Sequence, residues 1–405
     1  MGYRPGRRDR AGRSSERGLT VWVALVALGL VVIVVSVAWS TGSAAYAYWW
    51  VTNTDPPSVS IDAPLTPVRG VVAVNVFVGP EGRAGPIEAT LDGRRLGLAE
   101  TIPVDTASLQ DGAHQITVVA EDRSWRRNRS TATAALTTDN TPPQLTLDGQ
   151  PARVQQGHTW LLRIRTNELA TVEARLGSRP LELQAADGYG WVVVGFPPSA
   201  PTVSEPVVVD GKDLAGNATE VQQAVEVTRY QLPVDRVDVP ANLASLLSSD
   251  IRADEDRQLG PVYLNVTHPK LWDGRFMMPV TGPIITEFGT ERSYNGGPVV
   301  GYHQGTDIAA PMGQPVLAPA RGRVFLIDNV QLRGNVLILD HGLGVFTTYG
   351  QLSEIDVQLG ETVEKGQPFA KVGSTGLSTG PHLHWELWVG GANVDPLEWT
   401  KRDVP

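Results

Sequence analysis

A His-Leu-His-Trp-Glu stretch near the C-terminal end, residues 382–386, constrains the fold of this chain more than any other part of its sequence. Successive side chains of a β-strand point to opposite faces of a sheet. On a strand, His382 and His384 therefore share one face, while Leu383 points into the core on the other. The stretch predicts a strand that offers two imidazoles to one site, so that one can bind a metal ion while its neighbour meets a substrate.

A second stretch, upstream of the first, supplies partners for these histidines. It holds His303 and Asp307 in a His-x-x-x-Asp arrangement with Gly305 between them. This spacing would align the two side chains on a helix, but the glycine and the apolar residues that follow favour a loop that enters a strand. Three N/O ligands that leave one tetrahedral position open are typical of catalytic Zn²⁺. The alternative is a set of unrelated surface histidines, but most of the chain's seven histidines cluster in its last third.

Further glycine-framed landmarks run in order from the His303 motif to the His384 motif. They are Gly313-Gln314-Pro315-Val316, Gly322-Arg323-Val324, Asp340-His341-Gly342, Tyr349-Gly350-Gln351-Leu352, Gly366-Gln367, Gly373-Ser374-Thr375-Gly376 and Gly380-Pro381-His382-Leu383-His384. With them, residues 276–399 resemble the lysostaphin-like zinc metallopeptidases, which cut peptide cross-links in bacterial peptidoglycan. The resemblance implies that zinc is bound by His303, Asp307 and His384, and that His382 is a catalytic histidine.

One position departs from the pattern of that family. Where the family usually has Tyr-Ala-His-Leu, with a second catalytic histidine, this chain has Gln351. Glutamine can donate a hydrogen bond to a developing oxyanion, but it cannot carry a proton near neutral pH as imidazole can. Gln351 therefore predicts either a slow enzyme or a zinc-binding domain that cuts nothing. His341 is a possible substitute if a hairpin brings it back to the site.

The region around these motifs predicts an antiparallel β-sheet domain, residues 275–405. Apolar or alternating runs are separated by turn residues, which is typical of strands that form the floor of a groove. Arg292 and Tyr294 lie in a predicted wall of that groove. A guanidinium and a phenol can hold peptide carboxylates and carbonyls, so both are candidate substrate-binding residues.

The N-terminal region predicts a membrane anchor. Residues 1–18 carry six arginines against Asp9 and Glu16, and residues 19–39 are apolar without a charge. About 20 such residues span the apolar core of a bilayer. The arginines place the N-terminus in the cytoplasm and everything after the helix outside, in an extracellular or periplasmic space. A cleaved signal peptide is the alternative, although the apolar run is longer than usual for one.

Composition excludes several classes of function. The chain has no cysteine, so it has neither thiolate zinc ligands nor a cysteine nucleophile. Its net charge is −9, and because the first 18 residues are basic, the remainder is more acidic still. An acidic ectodomain is a poor nucleic-acid binder, since phosphate contacts need clustered Lys and Arg.

Between the anchor and the C-terminal domain the sequence predicts a mainly β architecture. Short alternating strands indicate two modules, residues 56–140 and 141–229, that resemble bacterial immunoglobulin-like β-sandwiches. We expect them to act as a stalk, or else to bind glycan or protein with Trp125 and Trp191 as stacking residues. Residues 230–274 are predicted to be a linker with one short amphipathic helix, which packs on the flank of the peptidase domain or controls access to its groove.

Together these features predict a membrane-anchored zinc metalloendopeptidase that hydrolyses peptide cross-links of bacterial peptidoglycan during wall remodelling. The alternative is a weak or inert metallopeptidase-like module that binds the wall or activates another hydrolase. A third hypothesis, an adhesin, predicts that the sandwich modules bind a glycan alone. The cross-link, and any cell-division or wall-synthesis partner, are not specified by the sequence.

Overall fold

The computed structural model describes residues 13–148, 152–186, 188–231 and 233–405. Of the predicted basic segment 1–18, residues 1–12 lie outside the described residues. The chain divides into two compact units. One unit comprises the residues up to 141 together with 214–217, and the other comprises 142–213 together with 218–405.

Two helices open the first unit, α1 (Arg13–Ser40) and α2 (Ser43–Thr52). Within α1, Val21–Ser40 is long and apolar enough to cross a membrane, with a mean hydropathy of 2.9. Gly42 separates the helices in a left-handed conformation (φ 75°), which glycine adopts without strain. Four aromatic residues, Tyr46, Tyr48, Trp49 and Trp50, lie on α2.

The rest of the first unit is a β-sandwich. Its strands are β1 (Ser58–Asp62), β2 (Val71–Gly79), β3 (Ala84–Leu91), β4 (Arg94–Arg95), β5 (Thr101–Asp105), β6 (Gly112–Asp122) and β7 (Arg129–Thr138), with a 3-10 turn at Thr106–Ser108. The sheets β1-β2-β5 and β4-β3-β6-β7 share one apolar core that includes Val74, Ile102 and Val118. Burial alternates along β6, as a half-buried strand requires.

Asp122 closes this first sandwich. Its Oδ1 accepts hydrogen bonds from the backbone of Ser124 and Asn128, and its Oδ2 accepts one from Asn53 at the end of α2. Trp125 is 55% exposed, and its indole N–H donates to the carbonyl of Val51. The end of α2 is therefore fixed to the sandwich by hydrogen bonds.

A second sandwich begins the second unit. Its strands are β8 (Leu145–Leu147), β9 (Arg153–Gln155), β10 (His158–Thr166), β11 (Ala170–Leu176), β12 (Arg179–Leu181), β13 (Gln184–Ala186), β14 (Tyr189–Phe196), β15 (Ser204–Asp213) and β16 (Ala218–Thr228). They form the sheets β13-β14-β10-β8 and β12-β11-β15-β16-β9. A mainly β fold is confirmed, whereas the immunoglobulin-like assignment of the two sandwiches stays a prediction.

The remaining strands are β17 (Val234–Val237), β18 (Ile284–Thr286), β19 (Glu291–Tyr294), β20 (Val299–Tyr302), β21 (Thr306–Ala309), β22 (Pro315–Leu317), β23 (Gly322–Val330), β24 (Gly334–Asp340), β25 (Val345–Leu352), β26 (Glu354–Ile355), β27 (Thr362–Val363), β28 (Pro368–Lys371), β29 (His382–Val389) and β30 (Ala392–Val394). The helices are α3 (Ser249–Leu259), α4 (Pro396–Lys401) and 3-10 turns at Ala241–Leu247 and Gly260–Leu264. The main sheet runs β18-β21-β29-β25-β24-β23-β27, with β30 beside β29.

The second sandwich packs directly on this C-terminal sheet. Trp191 is 5% exposed and lies in one apolar cluster with Trp272, Val389 and Trp399. The backbone N–H and hydroxyl of Thr159 both donate to Glu398 at 2.9 Å. The prediction of Trp191 as a glycan-stacking residue is therefore wrong, because its ring is buried in this contact. The second sandwich is not a separate stalk module either, since it shares a core with the sheet that follows.

Residues 230–274 do not behave as the predicted linker. β17 pairs in parallel with β19, and β20 completes a three-stranded sheet. After α3, Tyr263 stacks on Trp388 of the main sheet at 3.9 Å between ring centroids. The segment thus belongs to the C-terminal part of the second unit.

The single helix predicted in this segment is also wrong in detail. It is split at Ser248, which adopts an extended conformation and caps α3 by accepting a hydrogen bond from the Asp250 N–H. The apolar residues of this segment at helical spacing, Leu243, Leu246, Leu247 and Ile251, are only half-buried. Glu255 and Leu259 are buried in their place, and the expectation that the helix packs on the domain flank agrees with the structure.

Candidate metal centre and cleft

Strand pairing brings the predicted metal ligands together. β21 runs antiparallel to β29, and their register sets Asp307 opposite His384. Leu383 is fully buried on the other face of β29, as the alternation of side chains predicts. His303 lies in the loop between β20 and β21, also as predicted. His303, Asp307 and His384 are all buried, and each offers one ligand atom to a common point.

The hydrogen bonds around these three residues suit a cation. His303 Nε2, Asp307 Oδ1 and His384 Nδ1 lie 2.8–3.0 Å from one another. His303 Nδ1–H donates to the carbonyl of Glu287 at 3.1 Å, and His384 Nε2–H donates to Glu386 at 2.9 Å. In these tautomers three lone pairs converge with no proton between them. Two imidazole nitrogens and one carboxylate oxygen fit the ligand set of Zn²⁺.

The electrostatics of the cluster also call for one positive charge. Burial lowers the pKa of His303. Burial also acts against a charged His384, but hydrogen bonds with Asp307 and Glu386 outweigh it and raise its pKa to about 9. Despite burial, the two histidines hold the pKa of Asp307 well below its usual value. In the metal-free protein a proton on His384 supplies the charge, and a metal ion would replace that proton on binding.

Behind His384 lies a chain of buried charges. Glu386 accepts a hydrogen bond from His384 and, at 2.5 Å, one from Arg333 Nε. Arg333 also donates at 2.6 Å to Glu255 on α3 and at 2.5 Å to Gln304. Although burial opposes it, the Arg333 guanidinium and then His384 lower the pKa of Glu386 to about 2. Glu386 thereby holds the imidazole of His384 in one orientation. Hydrogen-bond partners of metal-binding histidines commonly act in this way.

His382, the predicted catalytic histidine, lies beside the candidate metal ligands. Its Nδ1–H donates to the carbonyl of Gly380 at 2.8 Å. This bond fixes the tautomer and leaves the Nε2 lone pair free, 3.7 Å from Asp307 Oδ1. The ring is 9% exposed and lines the cleft above the candidate metal centre. His382 can therefore accept a proton at Nε2 next to the three ligands.

Gln351, which stands where the resemblance implies a histidine, lines the cleft. It is the second-last residue of β25 and has a left-handed backbone (φ 57°), which is uncommon for a residue other than glycine. The side chain is 6% exposed, and Nε2 makes one long hydrogen bond, 3.4 Å, to the carbonyl of Leu332. Its Oε1 is buried without a hydrogen-bond partner among the described residues. A buried acceptor without a hydrogen-bond partner costs stability.

His341 does not replace the missing histidine. Its Nδ1–H donates to the carbonyl of Arg321 at 2.8 Å, and its Nε2 bonds the hydroxyl of Thr347 at 2.7 Å. Burial lowers the pKa of His341 to about 4, so the ring stays neutral in the interior. The possibility that a hairpin folds His341 back to the site is therefore wrong.

The two predicted substrate-binding residues both line the cleft. Arg292 is 9% exposed, and its guanidinium donates to Asp235 at 2.8 Å and to the free carboxylate oxygen of Asp307 at 3.3 Å. Tyr294 is half-buried at the end of β19. Their role toward a substrate stays a prediction, and Arg292 already has two carboxylate partners.

The cleft itself has a volume of about 610 Å³. Its walls come from three places: β17 and α3, the β18–β20 region, and the loop before β29. The sequence did not indicate that β17 takes part, and it gave access to the groove only as the alternative role of the short helix. Glu386 was within reach of sequence reasoning, because it shares the face of His382 and His384 on β29. Arg333 and Glu255 carry no motif, and only the folded chain brings them to the site.

The main sheet of the C-terminal region is antiparallel, and three candidate metal ligands meet at its cleft. The model of peptidase family M23 matches residues 301–396. The peptidoglycan DD-endopeptidase ShyB of Vibrio cholerae is 40% identical over 103 residues, which cover 25% of this chain and 24% of that protein. The DD-carboxypeptidase/endopeptidase Mpg of Neisseria meningitidis is 42% identical over 95 residues, which cover 24% of this chain and 22% of that protein.

Among solved structures, the catalytic domain of lysostaphin from Staphylococcus simulans is 30% identical, covering 30% of this chain and 92% of that one with a TM-score of 0.27. Because the family model matches residues 301–396, the C-terminal region of this chain contains a peptidase family M23 domain, and the resemblance seen in the sequence is confirmed. The chain spans only about a quarter of the length of the curated relatives it matches.

Proposed function

We propose that this protein is a zinc metalloendopeptidase that hydrolyses peptide cross-links of bacterial peptidoglycan. The observation that carries the proposal is the convergence of three acceptor atoms, His303 Nε2, Asp307 Oδ1 and His384 Nδ1, beside a free His382 Nε2. Relatives named peptidoglycan DD-endopeptidases share the region that holds these residues. The α1 helix supports a single-pass anchor in the cell membrane, with the catalytic domain on the outer side.

His303, Asp307 and His384 would hold Zn²⁺, which when bound would polarise a scissile carbonyl and activate a water molecule. His382 would accept a proton at Nε2 and return it to the leaving amine, since the Gly380 carbonyl holds its Nδ1–H. Arg292 holds the carboxylate of Asp307 from the side away from the histidines. Gln351 offers only a neutral hydrogen bond where a second imidazole usually stands.

One specific observation favours a second candidate function. Because Gln351 cannot carry a proton, the domain can bind zinc and peptidoglycan yet turn over slowly or not at all. In that case the protein binds the wall or activates a separate hydrolase during wall remodelling. The intact set of three ligands favours the enzyme, since a scaffold has no need for them.

Digestion of purified peptidoglycan by the full chain tests the enzyme. We expect the zinc-loaded protein to release muropeptides, and His382→Ala to lower the rate by about 10²-fold or more because the proton acceptor is lost. The product measurement is chromatography with mass spectrometry of the soluble fraction. His268→Ala, which changes an exposed histidine outside the cleft, is the control. Equal background release of muropeptides by wild type and His382→Ala would contradict the enzyme hypothesis and favour the non-catalytic scaffold.

A further inference from the structure

Helix α3 contributes a basic residue to the cleft from outside the matched family region, residues 301–396. Arg252 lies in the first half of this helix and lines the cleft together with Tyr302 and His303. Its Nη1 is 3.4 Å from the position that a Cβ would take on Gly301. Gly301 has a positive φ of 153°, so a larger residue there would be strained and would press on the guanidinium. The glycine therefore leaves room for Arg252 two residues before a metal ligand.

Two other arginines of the cleft, Arg292 and Arg333, are buried and already neutralised, and a third, Arg236 on β17, is exposed. Arg292 is paired with Asp235 and Asp307, and Arg333 is paired with Glu255 and Glu386. Among the residues that the structure describes, no carboxylate lies within 4.0 Å of the Arg252 guanidinium, although three acidic residues follow it closely on α3. A half-buried guanidinium facing a cleft without a carboxylate partner is suited to receive one from a ligand, since its planar fork binds carboxylates through two parallel hydrogen bonds.

We propose that Arg252 is a specificity residue that binds a free carboxylate of the substrate's peptide stem. This inference rests on the proposed function, because it assumes that the cleft receives peptidoglycan peptides. It adds a binding subsite formed by a segment that precedes the family domain. The side of the cleft formed by α3 then selects peptides with a free carboxylate over the same peptides in amidated form.

A second arginine of α3 provides a matched control. Arg257 lies on the same helix, is exposed, and pairs with Asp254 at 2.8 Å. It does not line the cleft. Arg257→Ala removes one arginine from α3, as Arg252→Ala does, and so separates a loss of helix charge from a loss of the subsite.

The experiment uses two synthetic cross-linked peptides that differ only in their free carboxylates, which are converted to carboxamides in the second peptide. With the zinc-loaded full chain, we expect kcat/KM to favour the carboxylate peptide by about tenfold or more, as a charge-assisted hydrogen-bonded pair gives. The difference should lie mainly in KM. In Arg252→Ala the ratio of the two kcat/KM values should fall to near one, while Arg257→Ala keeps the wild-type ratio.

Equilibrium binding of the same two peptides to the full chain is measured in parallel by calorimetry. Cleavage of both peptides with an Arg252→Ala ratio equal to that of wild type would overturn the subsite and leave the proposed function intact. Failure of wild type to cleave either peptide would overturn the proposed function. In that case the calorimetric preference for the carboxylate peptide still tests the role of Arg252. A preference that persists in Arg252→Ala contradicts the subsite, and a preference that is lost in this variant supports the subsite.

Discussion

Gln351→His is expected to raise kcat for peptide-bond cleavage by about 10²–10⁴-fold, the usual contribution of a general acid or base. The side chain at this position lines the cleft and is nearly buried, so an imidazole there would face the same substrate. Histidine tolerates a left-handed backbone better than most residues, so the φ of 57° does not oppose the change. Steady-state kinetics on a cross-linked peptide measure the effect.

Gln351→Met is the matched control for this gain. It keeps the length of the side chain and removes its hydrogen-bonding groups, so we expect activity at or below that of the wild type. Zinc content is measured for each variant, because a change in metal loading would mimic a change in kcat. A fully loaded Gln351→His protein with unchanged kcat would contradict the interpretation that this chain lacks a second proton carrier.

Arg333→Met is expected to cause the largest loss of stability of any change near the site. It leaves the carboxylates of Glu255 and Glu386 buried without their cation, and breaking a buried ion pair in this way costs about 3–5 kcal/mol. It also removes the hydrogen bond from Arg333 that holds Glu386 against His384. Loss of such a partner typically weakens metal binding by about 10–100-fold. Chemical denaturation of the metal-free chain and competition with a zinc chelator measure the two effects separately.

The control for Arg333→Met is Arg321→Met. Arg321 also pairs with a glutamate, Glu364 at 3.0 Å, but both side chains are at least half exposed. Surface pairs contribute about 0–1 kcal/mol, so this variant should lose little stability and bind zinc normally. If Arg333→Met is destabilised but binds zinc as tightly as the wild type, the buried network supports the fold alone and does not position His384.

Much of the metal centre was predictable from the sequence because it depends on local geometry. Alternation along a strand predicts that His382 and His384 share a face, and Gly305 predicts the loop that carries His303. The pairing of β21 with β29, which sets Asp307 opposite His384, is a long-range register that spacing alone does not give. It was available only through the resemblance to a family.

The elements around the site were less predictable for a physical reason. Glu255 and Arg333 are charged residues, which are usually exposed to solvent. Only the folded structure shows that both are buried and that they form an ion pair. Burial likewise separates Trp191, which lies in a core, from Trp125, which is exposed. The apolar pattern of residues 243–251 predicted one helix, but the cap at Ser248 divided it. The pattern of apolar residues in one segment does not show which of its faces another helix or strand will cover.

The metal content of the purified full chain tests the central claim most directly. After removal of loosely bound ions, elemental analysis should find one zinc per chain in the wild type and almost none in His384→Ala, which lacks one of the three converging ligands. A wild-type protein that contains no zinc and takes up none on titration would contradict the account.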